Sequence, residues 1–129
     1  MFNKWHSTVK KLRSNTLSVQ EFVEKNERKT LYYSTPFIET ENGGSPNVLQ
    51  TKGSDVLYFP VFTAMSGLKA YMTAIGCAEH IAIKGDLKGV LMSLDTHPAL
   101  REWGVVVDPQ SSLAVEIPPQ TRVRPKCLR

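Results

Sequence analysis

With 129 residues, a hydrophobic fraction of 41% and a charged fraction of 22%, the chain has the size and composition of one globular domain, able to bury a continuous core without disulfides or a metal as a staple. The composition excludes the low-hydrophobicity, high-charge signature of disorder, and no apolar run approaches the roughly 20 residues that cross a bilayer. The formal net charge of +4 gathers at the ends, in Lys4, Lys10, Lys11 and Arg13 and again in Arg122, Arg124, Lys126 and Arg129; without stacking aromatics or a recognition helix between them, such clusters read as solvated tips ahead of nucleic-acid sites.

Phe2, Trp5, Val9 and Leu12 step by three, four and three residues, which predicts a short amphipathic helix ringed by Lys4, Lys10, Lys11 and Arg13. The same interleaving of Trp5, His6 and Lys10 lacks the apolar core of a signal peptide, so the expected location is the cytoplasm. Asn15 and Thr16 interrupt the pattern. Ser18 and Glu21 then form a capping box opening a second helix, with Val19, Phe22 and Val23 on its buried side and an end near Asn26. Residues 1–29 are thus an N-terminal helical segment.

Residues 30–37 are rich in β-formers, with Leu31, Tyr33 and Thr35 on one face, Tyr32 and Ser34 on the other, and Pro36 limiting further pairing. Residues 39–54 hold Asn42, Gly43, Gly44, Ser45, Pro46 and Gly53, which predicts a long loop or an extended hairpin connection. Residues 56–62 read as a strand that leaves its ladder near Pro60. Thr63 is the expected N-cap of a helix over 64–75, in which Met65, Leu68, Met72 and Ile75 repeat at helical spacing and Gly76 supplies the left-handed C-terminal cap.

Alternation of Ile81 and Ile83 predicts a strand over 80–84, and Asp86 caps a helix that buries Leu87, Val90, Leu91 and Leu94. Thr96, His97 and Pro98 mark the next boundary. Residues 103–107 and 113–117 read as two strands of a hairpin joined by a turn at 108–112, and Pro118, Pro119 and Pro125 keep an extended basic tail over 118–129. The expected fold is therefore a single α+β domain over 1–129, with helices packed on a mixed, largely antiparallel sheet.

Chemistry is sparse in this pattern. His6, His80 and His97 show neither i, i+4 pairing nor cysteine spacing, so no metal or other cofactor is expected. Cys77 and Cys127 are too few and too far apart for a disulfide framework, and Cys77, at a helix C-terminus, meets the dipole end that disfavours a thiolate. Glu79, Asp86 and Glu102 are not paired by local spacing, and Gly43 and Gly44 lack the context of a phosphate loop. The expectation is a protein without catalytic residues.

The block from Leu57 through Tyr58, Phe59, Pro60, Val61, Phe62, Thr63 and Ala64 to Met65, followed by Leu68, Lys69, Ala70, Tyr71 and Met72, resembles the strand-to-helix segment of SseB N-terminal domains. Gly104 to Pro109 is similar to the family's late strand and turn, with Asp108 where Asn is common. The resemblance spans residues 31–117 and implies a mixed sheet with helices packed against it and no general catalytic residues.

A compact domain of this kind works by presenting a surface. Phe59, Phe62 and Trp103 are assigned to the core, whereas Tyr32, Tyr58 and Tyr71 are the candidate partner contacts, with Glu39, Glu41 and Asp55 as local acidic patches. The partner is expected to be another protein, most concretely a cognate bacterial toxin domain neutralised by this chain as an immunity protein. Two alternatives stand beside that reading. One is a secretion- or stress-associated adaptor, as the family resemblance implies; the other is a small nucleic-acid binder using the basic termini.

Overall fold

Two helices, a run of short strands and then helices set between strands follow one another along the chain: α1 (Lys4–Arg13), α2 (Val19–Lys25), β1 (Thr30–Tyr33), β2 (Phe37–Thr40), β3 (Gly43–Pro46), β4 (Leu49–Gln50), β5 (Leu57–Val61), α3 (Met65–Ala74), β6 (Ile83–Asp86), α4 (Leu87–Thr96), β7 (Gly104–Val107) and β8 (Val115–Ile117). The structure, a computed structural model, describes residues 4–40, 43–50, 55–77 and 79–119. The arrangement is α+β with mostly antiparallel strands, as the periodicities predict.

The N-terminal helices form where the apolar stripe places them. Val9 is buried and Trp5 and Leu12 are half-buried against the core, while Phe2 lies outside the described residues. Asn15 takes a φ of 61°, and the amides of Thr16 and Leu17 both donate back to Lys11 O, which turns the chain between α1 and α2. Ser18 and Glu21 make both bonds of the capping box: Glu21 N donates to Ser18 Oγ at 3.1 Å and Ser18 N to Glu21 Oε1 at 3.0 Å. Buried Asn26 ties the two helices together, its Nδ2 donating to Phe22 O at 2.8 Å and to Thr8 Oγ1 at 3.0 Å.

One edge of β5 is shared by two strands. β4 pairs antiparallel with Tyr58 and Leu57, and at the far end Tyr32 of β1 and Phe62 exchange backbone bonds of 2.7 and 2.8 Å. Strand backbone groups alternate sides with period two, so the nitrogen of Pro60 faces the same edge as that of Phe62. That position falls in the gap between the β4 ladder and the β1 bridge, where no amide hydrogen is required. The strand therefore runs through Pro60 instead of leaving its ladder there. On its other edge β5 runs parallel to β7, with Tyr58 opposite Gly104 and Val61 opposite Val107, and β7 pairs antiparallel with β8 as the expected hairpin.

Alternation along these strands divides the core in two. Phe59, Val61, Val105, Val107, Val115 and Ile117 join Leu31 in a cluster with Val9 of α1, Phe22 and Val23 of α2, and Leu87, Val90, Leu91 and Leu94 of α4. Phe62, one residue out of phase with Val61, joins Leu68, Tyr71, Met72 and Cys77 under α3, with Tyr32 and Ile38 packed alongside. Core side chains at this exposure each contribute about 1.5–3 kcal/mol by burial.

The first turn of α4 has its orphan amides satisfied by three different groups. Leu87 N donates to Lys29 O, Lys88 N to Glu27 O and Gly89 N to Asp86 Oδ1, at 3.1, 2.9 and 2.8 Å. Asp86 is the cap that the sequence predicts.

Three further expectations need correction. The stretch over 30–37 is two elements, because the chain turns at Ser34 to Pro36, where Asn47 Nδ2 donates to Thr35 O at 3.1 Å and Asn47 N to Pro36 O at 2.7 Å. Of the loop or extended hairpin connection expected over 39–54, the hairpin is what the described residues form: β2 and β3 pair antiparallel and β4 follows, since backbone pairing tolerates Gly and Pro in an edge ribbon. The strand expected over 80–84 lies at Ile83–Asp86, because its partner β1 sets the register, Tyr33 opposite Ile83 and Thr30 opposite Asp86. Thr63 is not the cap of α3; Ala64 is, without a side-chain bond. Thr63 instead donates from N to Asp108 Oδ1 at 2.9 Å and from Oγ1 to Asp108 Oδ2 at 2.7 Å. Of the tail expected over 118–129, residues 120–129 lie outside the described residues.

Candidate functional site

The C-terminal end of α3 closes as a Schellman motif. Ile75 is the C-cap, Gly76 follows at a φ of 83°, Gly76 N donates to Thr73 O at 3.1 Å and Cys77 N to Met72 O at 2.7 Å. Gly76 is where the sequence places it, and the left-handed turn sends the chain back along α3. His80 Nδ1 lies 3.0 Å from Cys77 O, folding residues 79–81 against the same end.

Across from this turn stands the bend between β1 and β2, tightened by Thr35 Oγ1 donating to Phe37 O at 2.8 Å and by the two bonds from Asn47. Between the two walls lies an open groove of about 280 Å³. Ser34, Thr35, Phe37 and Ile38 line one side, and Met72, Cys77, Glu79, His80 and Ile81 the other.

The groove has a buried floor and an exposed apolar rim. Met72, Cys77 and Ser34 are buried, whereas Phe37 is 53% and Ile81 63% exposed, the two most exposed large hydrophobics among the described residues. Phe37 is nonetheless held in place, its ring centroid 5.8 Å from that of Trp103, which in turn stacks on Phe59 at 6.4 Å. The hydroxyl of Ser34 is shut away from solvent and has no hydrogen-bond partner among the described residues, and the same holds for Asn47 Oδ1 beside the β1–β2 bend. An unpaired buried oxygen costs about 1–3 kcal/mol relative to a satisfied one.

The tyrosines expected on the surface are placed differently. Tyr58 is 7% and Tyr71 4% exposed. Tyr71 packs its ring 5.4 Å from Phe62 in the core under α3, and Tyr58 lies over Gly104. Burial pushes both phenols above their ordinary pKa, aided at Tyr58 by the negative charge of Glu116. Tyr32 is half-buried and packs on that same core. Neither Tyr58 nor Tyr71 is available as a surface anchor: alternation along β5 does not reveal that the face bearing Tyr58 is also covered, and helical spacing does not reveal that Tyr71 of α3 joins Leu68 and Met72 on the buried side.

Phe59, Phe62 and Trp103 are buried as assigned. Among the acidic candidates, Asp55 is exposed just ahead of β5, the backbone of Glu39 pairs with Gly44, and Glu41 lies outside the described residues. His97 is the C-cap of α4, its Nδ1 accepting from Ala99 N at 3.2 Å, and His6 is on the exposed side of α1. Among the described residues no group of His, Cys, Asp and Glu side chains is gathered for a metal ion, and no helix is long and apolar enough to cross a membrane.

Phe37 and Ile81 are the residues that sequence reasoning missed. Phe37 closes a run of β-formers and Ile81 alternates with Ile83, so both looked like ordinary strand positions. The one signal in the sequence was Pro36 directly before Phe37; Ile81 gave none, because its place outside the ladder is set by the register of β6 against β1. Comparison of the chain with protein-family models, with curated proteins and with solved structures finds no match in any of the three.

Proposed function

We propose that this domain acts by docking on another protein through the groove between the β1–β2 bend and the end of α3, and most concretely that it is a cytoplasmic immunity protein that neutralises a cognate bacterial toxin without catalysis or cofactor. The observation that carries the reading is the pair of exposed apolar side chains, Phe37 and Ile81, on one groove with a buried floor. Large apolar groups that stay in water at the rim of a concavity favour a partner that covers them. An aromatic ring already braced by its neighbours loses little freedom when bound, which suits a hot spot. A stable complex buries at least about 1,000 Å² in total, so the surface around the groove takes part as well.

The test is capture from the native host by the tagged chain, followed by mass spectrometry, in parallel with Ile81→Asp and Phe37→Ala. A stoichiometric toxin retained by the wild type and lost from Ile81→Asp supports the reading. A partner held equally by the wild type and both variants overturns the groove as the docking face, and a stoichiometric partner that is not a toxin overturns the immunity role.

A further inference from the structure

We infer that the groove accepts an apolar side chain borne next to a lysine or arginine on an extended segment of the partner, an inference that rests on the docking reading above and specifies its ligand. The apolar part follows from the lining: Phe37 and Ile81 at the rim and Met72 at the floor give a side chain of aliphatic size hydrocarbon contact on opposite sides.

The cationic part follows from charge. Among the described residues that line the groove, Glu79 is exposed and carries the only formal charge with histidine neutral; no lysine or arginine takes part. The whole chain bears a net charge of +4, so the groove is a place where a basic protein offers a carboxylate beside an apolar slot. At contact distance a cation there meets Glu79 and an acidic segment meets a like charge; the net charge of +4 acts the other way, drawing acidic segments at longer range, where salt screens it.

Ser34 supplies a third, independent observation. Its hydroxyl is buried at the groove and unpartnered among the described residues. The hydroxyl is shut away from solvent in the unbound protein, so rotation about χ1, which has three staggered wells, is the movement that would turn its donor and acceptor toward an occupant. The backbone of an extended segment offers both at every residue.

The test is an amide chemical-shift titration of the full chain with three blocked pentapeptides: Gly-Lys-Leu-Lys-Gly, Gly-Glu-Leu-Glu-Gly and Gly-Lys-Ala-Lys-Gly. Shifts from the first peptide at millimolar concentration are expected to concentrate at Ser34, Phe37, Glu79 and Ile81, with affinity about three- to tenfold above that of the other two. Glu79→Gln is expected to erase the preference for lysine over glutamate. Ser34→Ala is expected to weaken the first peptide about threefold without lowering the melting temperature, because it removes a group that has no partner in the unbound protein. Equal affinity for the lysine and glutamate peptides, shifts scattered away from the groove, or no binding at millimolar concentration each overturn the inference. A null titration together with partner capture that is still lost on Ile81→Asp overturns the ligand chemistry alone; peptide binding at the groove together with capture indifferent to Ile81→Asp overturns the docking reading instead.

Discussion

The ring of Tyr58 lies directly across the backbone of Gly104, its partner in the parallel β5–β7 ladder: a Cβ on Gly104 would stand 2.7 and 2.8 Å from two carbons of that ring and 2.7 Å from the carbonyl oxygen of Ile117. Glycine is therefore required here by close approach and not by a turn. Gly104→Ala is expected to destabilise the fold by about 1–3 kcal/mol, read as a lower urea midpoint. Adding Tyr58→Ala is expected not to restore it, because the Ile117 carbonyl belongs to the neighbouring strand and cannot move aside as a side chain does.

Burial reverses the consequence of changing the tyrosines. Tyr71→Ala, which opens a cavity next to Phe62 and Met72, is expected to cost about 3–5 kcal/mol, in the range of other large aromatic truncations. Ile81→Asp, at a largely exposed position, is expected to change stability by less than about 0.5 kcal/mol. Thermal melts of the two variants side by side check the contrast, and equal losses contradict the placement of Tyr71.

Asp108 joins the β7–β8 turn to the entrance of α3. Its carboxylate accepts both the amide and the hydroxyl of Thr63, and its backbone holds a φ of 51°. Asp108→Ala loses both acceptors and places a side chain with no local polar compensation in the left-handed region, for an expected loss of about 2–3 kcal/mol. Asp108→Asn keeps one acceptor and a residue suited to that φ, so its loss is expected to be about 1 kcal/mol or less. Denaturant titration of the two variants ranks them.

Three phenols are expected to make the fold sensitive to alkaline pH. Tyr33, Tyr58 and Tyr71 all have pKa values raised above 10.0, chiefly by burial, with Asp86 adding to the effect at Tyr33 and Glu116 at Tyr58. A raised folded-state pKa means that the native state holds its proton longer than the unfolded chain. The stability it contributes is thus fully present below the unfolded value and is lost as pH rises through the folded one. Melting temperature is expected to fall above about pH 10, where unfolded tyrosine ionises. The fall is expected to be smaller in Tyr71→Phe; a slope identical to wild type contradicts the assignment.

Much of the local structure is legible in the residues themselves. The capping box at Ser18 and Glu21, the cap at Asp86 and the Schellman turn at Gly76 are each made by side chains and backbone within a few residues of one another. Short-range chemistry of this kind is written in short stretches of sequence. The signal at Thr63 failed for a related reason: a distant acceptor, Asp108, competed for the hydroxyl that a local rule assigns to the helix.

The helical periods, the alternation of the valine strands and the caps thus follow from the sequence alone, because each depends on interactions within one or two turns of chain. Tertiary structure alone decided the register of β6 against β1, the passage of β5 through Pro60, the burial of Tyr58 and Tyr71, and the meeting of Phe37 with Ile81 across one groove. Each of these depends on which surfaces distant segments bring together, and a residue's burial is fixed by what covers it, not by its own type. The meeting of the candidate site's two walls lies in that second class, although the Gly76 turn that ends one of them belongs to the first.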